Sequence, residues 1–584
     1  MSKKDYFMAI SLVIASFLYY FWQACPSFYF WDSAELATAI SCRGIPHPPG
    51  FPLYLLTAGL LDQVLPFDSG RTTTLFSVIC ISISVGLFYL GTLKLISFVL
   101  KPAWVRRLSA LTVTIGLILS YSLSAQATRA EVYALNFLIY SLAIFFIGEV
   151  FLLPQNLFKR RRAFILALYL IGLGLANHHL TIALLLPAIF YLGFRERLNL
   201  SFITIAITSV VFPLSIYLLL IIYAGHKPDL NWGNPTNIYA LIDVLTLKGF
   251  TLSMEFFSIG HLIDNFIFDV SLIFKQTGPI LALFAIIGLI VMNKTNKKLF
   301  FFLAIILFFN LVSTIFNETY YYENMDIHGY LLFSIAVVMV FSAVGFGYTV
   351  LWMGRKYRAI VFLLAGIPAI VVPGYANFKS ADLSNNYSAK ELSKKLVDEC
   401  TRDAVVFTSS YNTYFIIKAV QNVYGYRKDL KVFNIYLFES EKYRDYVLDR
   451  FKIEHHGSAP DEDMEFYRYL MNNYKDNTEI YIEYDDKSLP LRNYLWPEGL
   501  LMRFKNDRFA PDSLNESEFF GENIKRFENY CQNGTDYEEL KSIIWFIHNH
   551  GLFFKAHGKV DLAEMYFSEV EKVTLDFLSK AGKR

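Results

Sequence analysis

Apolar residues in this chain gather in long, nearly unbroken runs, where a water-soluble fold would show alternating or 3.6-residue stripes. The runs lie near residues 6–24, 72–99, 108–124, 134–153, 163–177, 180–193, 202–224, 277–292, 299–315, 329–350 and 359–375, each ended by charge or by Pro/Gly. A helix of roughly 20 such residues crosses a bilayer. The pattern therefore predicts an α-helical polytopic membrane protein with about eleven spans. The first run, after MSKK, is longer than the apolar core of a cleaved signal peptide and reads as an uncleaved span.

Basic residues fall on alternate loops: Lys3 and Lys4; Lys101, Arg106 and Arg107; Lys159 to Arg162; Arg195 and Arg197; Lys294, Lys297 and Lys298; Arg355, Lys356 and Arg358. Of the loops between, 178–179 and 316–328 have no Lys or Arg, and 125–133 has only Arg129. By the positive-inside rule the N-terminus is cytoplasmic. An odd number of spans then puts the chain beyond about residue 376 on the extracytoplasmic side, in a periplasm or lumen. The stretch 163–193 reads as a hairpin of two short spans, because one long kinked helix would break this alternation.

Past residue 376 the pattern changes. Helix-like and strand-like segments alternate (SAKELSKKLVDEC, DAVVFTSS, TYFIIKAVQNVYG, KVFNIYLF, TEIYIEYD), which predicts a soluble α/β domain. In the last segment Gly551, Ala556, Gly558 and Ala563 stand where two helices would cross, as in a tetratricopeptide-like hairpin or a plain terminal helix pair. The expected organisation is a membrane domain over 1–376, an α/β domain over 377–535 and a helical segment over 536–584.

Composition adds exclusions. With 54% hydrophobic and 17% aromatic residues among 584, the chain is too apolar to hide its surface from water without lipid. A net charge of +2 offers no basic face for nucleic acid. The five cysteines contain no CxxC pair, so neither a zinc site nor a disulfide scaffold is indicated. A Cys25/Cys42 or Cys400/Cys531 bridge and free thiols are both compatible with the sequence. No metal ligand set is assigned, and a need for a divalent metal is left open, as is the oligomeric state.

Candidate chemistry lies in the loops opposite the basic ones. The first, about 25–71, holds Asp32 and Glu35, which share a helix face at that spacing. It continues into His47-Pro48-Pro49-Gly50, a rigid turn able to return an imidazole toward the two acids or simply to shape re-entry into the bilayer. The second has Arg129 and Glu131, an ion pair between helix ends or an anion-binding arginine with its partner. The third has Asn177-His178-His179; adjacent histidines diverge along a helix and do not make a two-histidine metal site. The loop 316–328 sets Glu318, Glu323, Asp326 and His328 among tyrosines, as solvated interface residues or as sugar or acceptor contacts.

WDSAEL, HPPGFPLY, AEVYALN and GLANHHL, in that order and spacing, resemble a family of HPPG-motif polytopic membrane proteins long known as a domain of unknown function. Its animal member is a protein O-mannosyltransferase acting on plexin-type receptors. The resemblance covers roughly residues 20–190 well and the remainder in outline, and Ala34 stands where the family often has Gly. The family is similar to GT-C glycosyltransferases, which take sugar from a polyprenyl-phosphate carrier. The resemblance implies a polyprenyl-phosphate-linked sugar, mannose foremost, as donor, and a protein Ser/Thr hydroxyl as acceptor. By position it also implies Asp32 as catalytic base, with Glu35 as neighbour or substitute.

Arg129 with His178 or His179 are then the expected phosphate contacts, His47 a donor or brace, and Glu131 the orienter of Arg129. A transferase acting on a lipid-linked or cell-wall glycan and a transporter are the rival readings. Transporters place ionisable groups near the bilayer midplane, whereas here the acids, histidines and Arg129 gather at one end of the spans.

Overall fold

The computed structural model describes residues 1–152, 156–193, 200–246, 258–316, 321–353, 366–453, 462–511, 515–530 and 536–581. The basic clusters at 195–197 and 355–358, Glu318 and Cys531 lie outside these.

The bundle begins with α1 (Lys3–Gln23), whose Phe7, Ile10, Ile14, Leu18 and Trp22 form one exposed apolar stripe. Such a stripe suits lipid. Two short helices follow, α2 (Asp32–Cys42) and α3 (Pro52–Asp62), before the long α4 (Ser69–Ile96). Next come α5 (Ala103–Ile118) and α6 (Tyr121–Ala127), bent by 61° from one another, then α7 (Val132–Leu152) and α8 (Leu157–Ala183). After these are α9 (Leu186–Gly193), α10 (Leu200–Val211), α11 (Leu218–Gly225), α12 (Ile238–Leu245), α13 (Ile259–Thr295) and α14 (Lys297–Ile315). The bundle closes with α15 (Met325–Tyr330), α16 (Leu332–Trp352) and α17 (Pro368–Ala381).

Among the described residues eight helices are long and apolar enough to span, or nine with the bent α5–α6 pair. The difference from eleven is partly one of counting. His178, inside α8, has non-helical angles (φ −136°, ψ 92°). A Cβ on Gly174 would lie 2.8 Å from Ile182, and one on Gly193 would lie 3.7 Å from the Phe164 ring. Residues eight apart in a straight helix are about 12 Å apart, so the chain reverses at His178 and 179–193 run back along 164–177. The last expected span, 359–375, lies partly outside the described residues.

Helices α13 and α16 pack most closely where Gly288 and Gly345 face each other, each with a backbone carbonyl 1.8 Å from where a Cβ would stand. Only glycine permits that approach, the usual solution in a bundle without a hydrophobic drive between helices. One end of the bundle is tied by Arg107–Asp5 (2.6 Å) and Lys94–Glu149 (2.5 Å). The other end is tied by Tyr20 Oη to the Ile118 carbonyl (2.8 Å) and Asn177 Nδ2 to the Val132 carbonyl (2.9 Å).

On that second end sits an α/β layer. Its helices are α18 (Ser388–Asp398), α19 (Tyr411–Val423), α20 (Glu441–Phe451), α21 (Asp463–Tyr474) and α22 (Glu516–Tyr530), followed by the terminal pair α23 (Tyr537–Ala556) and α24 (Val560–Ala581). Its strands are β1 (Val405–Thr408), β2 (Lys431–Asn434), β3 (Ile480–Ile482), β4 (Leu495–Glu498) and β5 (Leu501–Phe504), in the order β2-β1-β3-β5-β4. The first three are parallel and fully buried apart from Lys431, while β5 runs antiparallel to both its neighbours. The β4–β5 hairpin is an addition to the strands expected from the sequence. In the terminal pair, Gly551 meets Phe567, so the two helices are antiparallel. Cys25, Cys42, Cys80 and Cys400 are free thiols.

The layer is fastened to the bundle by polar contacts. Asp229 receives Lys418 (3.2 Å), Arg450 (3.1 Å) and Asn422 (2.8 Å), and Asp536 receives Tyr29 (2.9 Å) and Asn386 (2.6 Å).

Candidate active site

The site grows from the loop after α1. Trp31 holds φ +55°, ψ −129°, a conformation that costs a non-glycine residue free energy. It is held at both ends: its backbone NH donates to Asn412 Oδ1 (3.0 Å) and its Nε1 to Glu538 Oε2 (2.6 Å). Asp32 follows at once as the first residue of α2, and its side chain keeps 22% of its surface exposed.

Glu35, one turn on, is fully buried. Its two oxygens take the backbone NH of His47 (2.8 Å) and His47 Nδ1 (2.5 Å). The far nitrogen of the same ring, Nε2, stands 4.0 Å from Asp32 Oδ2. The HPPG turn fixes this geometry. The Pro48–Pro49 peptide is cis, and Gly50 takes φ +84° with Leu220 2.7 Å from where a Cβ would be. Phe51 caps α3 and packs edge-on to His47. Each Glu35 oxygen is engaged by His47, so Glu35 stands as the buried neighbour of Asp32 that holds the imidazole.

Asp32 faces a cavity of about 150 Å³ shared with Arg129, Glu131, Asp326, Glu538 and Lys541. Arg129 Nε donates to Glu131 Oε1 (2.9 Å). Its two terminal nitrogens, and Glu131 Oε2, are buried without a hydrogen-bond partner among the described residues. A buried guanidinium left with open donors costs several kcal/mol unless an anion takes them, and it is shaped for a bidentate oxyanion. Lys541 Nζ, from α23, donates to Tyr321 Oη (2.6 Å) and lies over the Trp31 ring.

Oxygen atoms of Asp32, Glu131 and Asp326 lie within 4.8 Å of one another, as do ligand atoms of Asp32, Glu35 and His47. The first set has the hard oxygen donors that Mg²⁺, Ca²⁺ or Mn²⁺ takes, and the second adds an imidazole nitrogen suited to a transition metal. Four carboxylates meeting Arg129, His47 and Lys541 also perturb one another. Burial lifts Asp32 well above the carboxylate range; Asp326, Glu131 and Glu35 add to this and His47 opposes it. Burial likewise lifts Glu131 to about 7 against the pull of Arg129, and raises Asp326. Burial works against charge on His47, but Glu35 and Asp32 outweigh it and push the imidazole up to about 10.

The two histidines expected to contact phosphate stand apart from the Asp32 cavity. His178 is stacked on Phe51 (5.8 Å, 6° between planes) and bonded to Thr181, and neither it nor half-buried His179 lines the Asp32 cavity. His178 is instead the residue at which the chain turns back. Asp326 is delivered by α15, which is pinned by Gln126 Nε2 to the Met325 carbonyl (2.9 Å) and Ser122 Oγ to His328 Nδ1 (2.7 Å). Sequence reasoning missed Trp31, Glu538 and Lys541. Trp31 is the first residue of the WDSAEL motif, but no spacing rule links it to two residues more than 500 positions away.

Residues 32–202 match the family described as the protein O-mannosyl-transferase TMEM260 N-terminal domain. The chain is similar in fold to the crystal structure of ArnT from Cupriavidus metallidurans in the apo state, at 10% identity and a TM-score of 0.52, over 85% of this chain and 96% of that one. The same enzyme bound to undecaprenyl phosphate gives 10% identity and 0.51, over 86% and 99%. Among curated proteins, none is similar enough in sequence to count as a relative. The likeness to ArnT shows a shared fold.

Proposed function

We propose that this protein, a membrane glycosyltransferase of the GT-C fold with the TMEM260-type domain over residues 32–202, moves mannose from a polyprenyl-phosphate carrier to a Ser/Thr hydroxyl of a protein. The alternation of basic loops supports a cytoplasmic N-terminus and an α/β layer on the extracytoplasmic side, where transfer would then occur.

The observation that carries the reading is Arg129. Its open donors front the same cavity as a partly exposed carboxylate, so an oxyanion and a proton acceptor are met in one place. In the proposed step Asp32 takes the acceptor proton while the acceptor oxygen bonds to the anomeric carbon. The bond from that carbon to the phosphate oxygen breaks, and the electron pair leaves on the polyprenyl phosphate. Arg129 stabilises the charge growing there. A carboxyl with a raised proton affinity is the better base near neutral pH, provided it is ionised, and charged His47 beside it favours that state. ArnT's undecaprenyl phosphate supports the donor class.

The test is purified protein given polyprenyl-phosphate mannose and a Ser/Thr peptide. Mannosylated peptide is expected. No transfer from any lipid-linked sugar would overturn the enzyme, and transfer to glycan acceptors alone would overturn the protein acceptor.

A further inference from the structure

A second, larger cavity of about 540 Å³ lies against the first, and Trp31, Glu538 and Lys541 line both. It opens where β1 runs into α19, between the sheet and the terminal helices, the crevice at strand carboxyl ends where open α/β layers bind ligands. In many such crevices the helix N-terminus takes an anion. Here that place is filled from within. Glu483 accepts the backbone NH groups of Ser409 (2.9 Å) and Ser410 (3.0 Å), Thr413 Oγ1 (2.8 Å) and Trp545 Nε1 (2.9 Å).

That helix start is therefore not open to a phosphate, since a carboxylate already takes its NH groups. Apart from Glu538 and Lys541 at the junction with the first cavity, what remains is aromatic or neutral: Tyr411, Tyr436, Trp545 and His548, with Asn412 and Ser542 as hydrogen-bonding groups. Trp31 and Trp545 keep 37% and 38% of their surface exposed. Apolar faces with a few convergent polar groups suit a polypeptide segment with apolar side chains. The position on the α/β layer, away from the apolar bundle surface, argues against a lipid tail.

Resting on the reading of the protein as a protein-acceptor transferase, we infer that this cleft is the acceptor-polypeptide site. It binds an extended segment and presents its Ser/Thr hydroxyl past Trp31 to Asp32. Trp31, in both cavities, is then a positioning residue at their junction.

The test uses the full-length protein with a photoreactive phenylalanine at Ile544 or Val570, on the two terminal helices lining the cleft, and a control at Tyr426, at the other end of α19. A Ser/Thr peptide, and its Ser/Thr→Ala form, is expected to cross-link at 544 and 570 at least tenfold more than at 426. In parallel, Ile544→Trp is expected to raise KM for peptide at least tenfold and to shift the partition of donor sugar from peptide toward water by a similar factor. Equal cross-linking at all three positions, or capture at 544 of a lipid-linked sugar instead of peptide, would overturn the cleft assignment. So would an unchanged partition in Ile544→Trp while donor turns over. If wild type turns over no donor, the proposed activity fails; the cross-linking result still reads the cleft separately.

Discussion

Glu35 holds His47 by two bonds, one to the ring Nδ1 and one to the backbone NH, and thereby sets the opposite ring nitrogen 4.0 Å from Asp32. Glu35 and Asp32 push His47 up to about 10 against its burial, which favours a charged imidazole facing the proposed base. Replacing it with glutamine removes a charge that favours ionised Asp32, so the Asp32 pKa rises further. The acid limb of the pH–rate profile should move to higher pH by about one unit. An acid limb unmoved in His47→Gln would detach the histidine from the base.

Asp32→Asn is isosteric at a partly exposed helix start and should express and fold like wild type. Loss of general-base catalysis is expected to lower kcat by about 10² to 10⁴. Glu35→Gln should act more mildly: it removes a charge that raises Asp32 while weakening the His47 cation that lowers it, so the acid limb should move less than in His47→Gln. Comparable transfer rates for Asp32→Asn and wild type, measured with labelled donor, would remove Asp32 from its role.

Arg129→Ala deletes the open guanidinium and is expected to raise KM for the lipid donor by about 10- to 100-fold, the worth of charge-assisted hydrogen bonds. It also strands buried Glu131, so Arg129→Ala with Glu131→Gln should recover thermal stability without recovering donor affinity. Recovery of both would make the arginine a structural ion-pair partner alone.

Asp536 gathers Tyr29, Asn386 and the backbone NH of Glu539 at the start of α23. Asp536→Ala should cost about 2–4 kcal/mol of docking stability, seen as faster proteolysis of the terminal helices. Transfer should fall with it, because α23 carries the carboxylate that holds Trp31. Protection equal to wild type together with reduced transfer would refute the docking explanation.

Arg129, His47 and Lys541 already supply positive charge around the carboxylates. Excess chelator is therefore expected to leave transfer within about twofold of the untreated rate, the charge being met by side chains. Abolition by chelator with rescue by Mn²⁺ or Mg²⁺ would recast Asp32, Glu131 and Asp326 as metal ligands.

The spans were legible because lipid imposes a composition on every exposed helix face, and alternating charge then ordered them. The reversal at His178 agrees with a hairpin that the sequence suggested only through that alternation. Asp32, His47, Arg129 and Glu131 could be nominated because each lies in a short polar interval between apolar runs, where few residues compete for attention. The parallel strands showed as β-branched and aromatic runs. The β4–β5 hairpin did not, since LWPEGLLMRF carries a proline and mixed polarity.

A helical membrane protein with its polar chemistry at one end of the bundle and an α/β layer after it could be read from local hydrophobicity and period along the chain. Which polar residues meet is set by packing between distant elements. Glu35 turns inward to His47, His178 is spent on a turn, and Glu538 and Lys541 arrive from the last helices to close on Trp31. Such meetings depend on how distant elements pack, and no periodicity along the chain encodes a contact between residue 31 and residue 538.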